Sequence, residues 1–210
     1  MSIIYEDILN FWFGDSLDSL DTVASRKELW FVRSDAFDRS IEARFGSLPD
    51  RALRGEFDGW SREARAALAL VLVLDQFPRN LYRGSARSFE FDSKACEMAL
   101  RAIEAGVDQK LHPLEASFLY LPLEHSEDLL LQDRSVELFE ELVSRAPADL
   151  RPMFGEFVAY AARHREVIRQ FGRFPHRNAV LRRGSTREEV VYLEAGGETF
   201  GDADAGGNGA

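Results

Sequence analysis

Two stretches almost a hundred residues apart share unusual letters: DQFPRN at residues 75 to 80, and GRFPHRN at residues 172 to 178. Each joins Phe-Pro to Arg-Asn and runs on to Arg-Gly-Ser. A proline disfavours helical backbone in the residue before it. Phe77 and Phe174 are therefore expected to anchor in the core while the chain turns away. Arg79 and Arg177 then project from rigid corners, with Arg83 and Arg173 close by. Asn80 and Asn178 suit local backbone bonds or left-handed geometry. Planar guanidinium forks held this way match a carboxylate or a phosphate.

A third stretch, LPLEHSEDLLLQ at residues 121 to 132, crowds Glu124, His125, Ser126, Glu127 and Asp128 into a helix entrance. With Asp75 and Gln76, these side chains could balance the arginines around one small anionic ligand. Histidine is the side chain that exchanges a proton near neutral pH, so His125 or His176 could act as base in acid–base hydrolysis or group transfer. His164 lies on an otherwise apolar stripe, as a core histidine or as a partner of the second corner.

Each feature also has a plain structural account. Arginines at corners cap helix carbonyls. Ser126 followed by acids reads as an N-cap worth roughly 0.5–2 kcal/mol. His125 then occupies the position where an apolar residue would be expected to meet Leu130. An ion network of this kind can hold helices in register without adding net stability.

Other chemistries find little support. No glycine-rich phosphate or dinucleotide loop is present, so no cofactor is implied. There is no HExxH, and none of the four histidines lies three residues after a glutamate, so no metal is implied. No Gly-x-Ser-x-Gly elbow exists. Cys96, the single cysteine, falls inside a helical pattern and reads as a small buried hydrophobe.

The helices that must carry these groups follow from apolar spacing, and no alternating strand pattern competes. Tyr5, Ile8, Leu9, Trp12 and Phe13 form a stripe ending at Gly14. Phe37, Ile41 and Phe45 form another, begun by Ser34 or Asp35 and stopped by Gly46. Ser61 is expected to cap SREARAALALVLVLDQF, which is apolar nearly all round and so central. Asp92 opens a helix that Gly106 closes. Pro113 starts the next, which Pro122 limits. Long helices follow from Ser126 and through ADLRPMFGEFVAYAARHREVIRQFG. Ser185 with Glu188, or Thr186 with Glu189, makes a capping box for the last. The expectation is one all-α domain of about eight or nine antiparallel helices over residues 1–195. A flexible Gly/Ala/Asp-rich tail is expected over 196–210. A strict tetratricopeptide consensus and a repeat of about 34 residues are absent.

A net charge of −10 argues against nucleic acid and anionic membrane as partners. Sixteen Phe and 3 Trp in 210 residues mark a folded composition. One cysteine and no basic leader point to a cytoplasmic protein. The run Ala66 to Leu74 is too short to cross a bilayer, which takes about 20 residues.

In this order, DQFPRNLYRG, LPLEHSEDLLLQ and RHREVIRQFGRFPHRNAVL, with Trp30–Phe31 upstream, resemble the bacterial family catalogued as domain of unknown function 924. The resemblance spans about residues 3 to 195 and implies a tetratricopeptide-like, all-helical fold. It implies no reaction. The family pattern has Gly after RNAVL where this chain has Arg182, and Gly184 is the candidate to take over that turn. Leu123 stands where Phe is common.

Three functions stay open on these letters. One is a polar Arg/His/Glu site for an anionic small molecule, with or without catalysis. Another is a helical adaptor gripping a peptide or protein on a concave face. The last is a structural ion network.

Overall fold

The computed structural model describes residues 4–14, 17 and 20–201. Most of the described residues are helical, and none of them lies in a strand. Helix α1 (Ile4–Phe13) buries Ile8, Leu9, Trp12 and Phe13 and stops where Gly14 adopts φ +76°. Helix α2 (Leu20–Phe31) was not foreseen, because its apolar residues follow no clear helical period. Helix α3 (Asp35–Phe45) is capped by Ser34, which accepts from Phe37 N–H. A short α4 (Leu48–Leu53) and a 3-10 turn (Asp58–Arg62) lead to α5 (Ala64–Val71).

The expected cap of α5, Ser61, is corrected to Glu63. Ser61 bonds back to Asp58 C=O inside the 3-10 turn, while extended Glu63 accepts from the N–H groups of Arg65 and Ala66. From Ala66 to Gln76 every residue is buried, so this run is the central element of the fold. It continues as a π-helical turn (Leu72–Gln76) into α6 (Phe77–Leu81).

Helix α7 (Asp92–Glu104) ends before Gly106, and α8 (Pro113–Glu124) starts on Pro113 in a capping box made by His112 and Glu115. Pro122 lies inside α8 rather than ending it. With the last residue at Glu124, it falls in the final turn, where little remains to break. Helix α9 (Leu129–Arg145) is capped by Asp128, not Ser126. Asp128 is extended and accepts from Leu130 N–H at 2.8 Å, while the Ser126 hydroxyl accepts from Asp128 N–H. Helix α10 (Arg151–Phe171) ends at left-handed Gly172, and α11 (Arg187–Glu194) uses the Thr186–Glu189 box.

One apolar cluster runs from α1 to α10, with Trp12, Phe77 and Phe118 among its fully buried rings. A smaller one gathers Val167, Ile168 and Phe174 with Phe171, Tyr192 and Phe200. Of the segment expected as a tail, residues 196–201 are described, and Phe200 packs in that second cluster. Residues 202–210 lie outside the described residues.

Candidate functional site

The first corner is made by the π-turn. Phe77 N–H bonds the carbonyl of Leu72, five residues back, and Phe77 itself is helical at φ −60° and ψ −41°. The expectation that Pro78 would hold Phe77 extended is therefore corrected. The extra residue in the π-turn restarts the hydrogen-bond ladder, so Pro78 enters in a first turn, where its missing N–H is not needed. Phe77 is fully buried as an anchor all the same. Such π-turns recur at functional sites.

The turn carries Asp75, fully buried, into a polar cluster. Its carboxylate meets His125 Nδ1 at 2.7 Å and accepts from Gln76 Nε2 at 2.5 Å. Arg79 Nη1 lies 3.2 Å from Asp75 Oδ1 and donates to the Asp75 carbonyl. Burial pushes the Asp75 carboxyl up, but Arg79, His125 and Gln76 outweigh it and hold the group ionised, well below the usual carboxylate range.

The second corner closes on the same place. Phe174 is extended, as Pro175 requires, and fully buried. Arg177 Nη1 donates to His125 C=O at 3.0 Å and lies 3.6 Å from Asp92 Oδ2. Its guanidinium sits over the rings of Phe174 (4.3 Å) and Phe89 (4.7 Å). Arg79 forks both oxygens of Asp92, at 2.9 and 3.1 Å. Glu127 accepts from Phe174 N–H at 2.8 Å and from both Nη atoms of Arg183. The two echoed corners and the acidic helix entrance thus share one centre.

Not every expected residue reaches it. Asn80 and Arg83 both donate to Asp38, tying the corner to α3 rather than to local backbone. Arg173 forks Glu189, which also accepts from Asn178, so these residues fasten the second corner to α11. Asn178 is right-handed, not left-handed. Ser126 and Asp128 serve the entrance of α9. His176 packs beside Phe174 and Phe200 at 5.5 and 5.8 Å between centroids. Gly184 does not take over the turn after Leu181; Arg182 itself adopts φ +55°.

Behind His125 lie His164, with ring centroids 6.3 Å apart, and Glu124. His164 is buried, its Nδ1 3.1 Å from Tyr160 C=O and 3.4 Å from Glu124 Oε1. The Phe200 ring stacks on it at 3.5 Å. Burial, with the neighbouring His125, pushes the His164 pKa well down. Burial, with Asp75 nearby, pushes Glu124 up to about 8, against the pull of Arg163. The 3.4 Å contact is therefore one between two neutral groups near pH 7, not an ion pair.

Glu124 also belongs to the wall of a pocket of about 480 Å³ between α2, α8, α9 and α10. Phe31, Phe118, Phe139, Phe157 and Tyr160 supply its aromatic lining. Lys27, Glu156 and Arg163 are its other charged residues, paired as Lys27–Glu156 (3.0 Å) and Arg163–Glu198 (2.9 Å). Sequence reasoning missed this pocket, because nothing in α2 announced a helix. Asp92 was legible only as a helix opener and Glu189 only as a capping residue. Among the described residues no His/Cys/Asp/Glu cluster could hold a metal ion, and no helix is long and apolar enough to cross a membrane.

The model of a family described as bacterial proteins of unknown function, DUF924, matches residues 8–197. The chain belongs to this family. The chain is also similar to a solved structure of a protein of unknown function from Agrobacterium tumefaciens. The two share 37% identity with a TM-score of 0.76, over 91% of this chain and 97% of that one. No curated protein matches. In this DUF924 chain all three quoted motifs lie within the matched residues, and they are the segments that build the Asp75–His125–Arg177 centre.

Proposed function

We propose that the chain binds a small molecule in the pocket between α2, α8, α9 and α10, its apolar body against the phenylalanine rings and a polar group against Glu124. Glu124 carries the reading. It is a carboxyl only 2% exposed, in the wall of a cavity of about 480 Å³, and its Oε1 makes no hydrogen bond among the described residues. Buried polar atoms are almost always bonded, and an unmet one costs about 1–3 kcal/mol. A ligand group that meets it recovers that cost. The volume suits small-molecule sites, which run from about 300 to 1,000 Å³.

The corner arginines support a different part. Arg79, Arg83, Arg173 and Arg177 engage Asp92, Asp38, Glu189 and the His125 carbonyl, so they fasten helices and hold the Glu124–Asp128 segment in place. An anionic ligand, the class their number suggested, would turn instead to Lys27 and Arg163. Their half-exposed pairs are worth only about 0–1 kcal/mol and are open to exchange. A cytoplasmic setting is in keeping with the lone cysteine.

Acid–base activity on the bound molecule is the second reading. It is favoured by carboxyls pushed apart at one centre, with Asp75 ionised and Glu124 protonated to about pH 8. The test is a thermal-shift screen of small carboxylates, amines and neutral aromatics against the wild type and Ala159→Trp. Ala159 is an exposed pocket residue, so tryptophan there fills the space without disturbing the core. Hits weakened at least tenfold in the variant support the site. Equal hits in both, or none in the wild type, would sink it.

A further inference from the structure

We propose that the ligand of this pocket is an organic cation: an ammonium on an apolar body, its nitrogen against Glu124 and its body among the aromatic rings. The inference rests on the pocket being the ligand site and concerns the charge its occupant carries.

Three observations point the same way. The wall holds Phe31, Phe118, Phe139 and Phe157, aromatic rings of the kind that attract cations, and its Tyr160 already carries the Arg163 guanidinium over its ring at 4.9 Å. Among the described residues of that wall the only fully buried ionisable group is an acid, Glu124, whose Oε1 stands 3.4 Å from His164 Nδ1 and makes no hydrogen bond. Behind it sits a second buried acid, Asp75, close enough to push the Glu124 proton affinity up. Asp75 is already met by Arg79 and His125, so the charge left for an occupant to offset is that of Glu124 once it ionises, which an ammonium can do and an anion cannot.

The cations near Glu124 do not reverse this. Arg163 is drawn off to Glu198 and lies over the Tyr160 ring at 4.9 Å, and Lys27 is drawn to Glu156. His164 is held neutral by burial, and His125 is turned to Asp75 at 2.7 Å. The net charge of −10 also favours the approach of cations over anions.

A proton should report the event. Near pH 7 Glu124 holds its proton, and an ammonium beside it favours the carboxylate, so binding expels the proton to solvent. Titration calorimetry at pH 7 in buffers of different ionisation enthalpy reads this directly. The probes are phenethylamine and octylamine, each against the alcohol and the carboxylate of matching skeleton. The expected result is amines at least tenfold tighter than either counterpart, with about one proton released per amine. Glu124→Gln, which keeps the shape, should lose both the preference and the proton. Alcohols or carboxylates binding as tightly as amines, and blocked by Ala159→Trp, would overturn the cation while leaving the pocket in place. Binding unaffected by Ala159→Trp, or no binding in any series, would overturn both.

Discussion

Arg79 and Arg177, one from each echoed corner, close on a single carboxylate, that of Asp92. Arg79 forks it at 2.9 and 3.1 Å, and Arg177 stands 3.6 Å from Oδ2. The same two guanidiniums lie over the Phe89 ring, at 5.9 and 4.7 Å. Repetition in the sequence therefore corresponds to convergence in space.

Because that carboxylate serves both corners, Asp92→Asn should cost about 2–4 kcal/mol, leaving buried Arg177 and partly buried Arg79 short of charge. Arg177→Lys should also destabilise, since an ammonium cannot both stack between Phe174 and Phe89 and reach the His125 carbonyl. Urea denaturation of the two single variants and the double one should give a coupling of about 0.5–3 kcal/mol. Additive effects would show that Asp92 is not shared.

Glu124 should leave a signature in the pH dependence of stability. Its folded pKa is pushed up to about 8 from an ordinary 4.5, so between those values the unfolded chain releases a proton that the folded chain keeps. Stability attributable to this group falls as pH rises from about 4.5 to 8 and levels off above. Glu124→Gln should abolish that decline and be the more stable protein at pH 8, by an amount on the order of a few kcal/mol. Parallel melting curves across this window for the two proteins would contradict the shift.

Arg182 sits at φ +55°, in the left-handed region that favours glycine. Its position follows RNAVL, where the family resemblance led to glycine being expected. Arg182→Gly should therefore raise stability by up to about 1 kcal/mol, strain relief outweighing the added freedom of the unfolded chain. Chemical denaturation decides it, and a variant less stable than the parent would mean that the Arg182 side chain contributes more than its backbone costs.

Phe200 covers His164 at 3.5 Å, and burial is the main reason this imidazole is hard to protonate. Phe200→Ala should let water in and move the His164 pKa up toward 6.5. The lost ring contacts should cost about 0.5–1.5 kcal/mol. Ring resonances followed by NMR between pH 4 and 8 give the first quantity. An unchanged midpoint would mean that the helices alone bury His164.

Much of the scaffold was legible because its determinants are local. Apolar residues three and four apart mark the buried faces of α1, α3 and α10, and left-handed Gly14, Gly106 and Gly172 end or follow helices where expected. The Thr186–Glu189 box lies within four residues of chain. Phe77 and Phe174 were readable as anchors for the same reason: a large ring beside proline has few places to go but inward. The caps were less certain. Ser61 and Ser126 look as good as Glu63 and Asp128 on paper, and the choice fell to the residue whose extended backbone met the packed first turn.

Partner choice was beyond the letters. Nothing in the sequence says that Arg83 takes Asp38, that Arg173 takes Glu189, or that two arginines share Asp92, because charge pairing depends on distances set by how whole helices pack. The pocket belongs with these. Its walls come from four helices, one of them without a clear period, and a cavity is the space left when their side chains fail to meet. Chain-local chemistry determined where this protein turns and which groups it holds rigid. Only tertiary packing decided which of those groups neutralise each other and left Glu124 buried with an oxygen to spare.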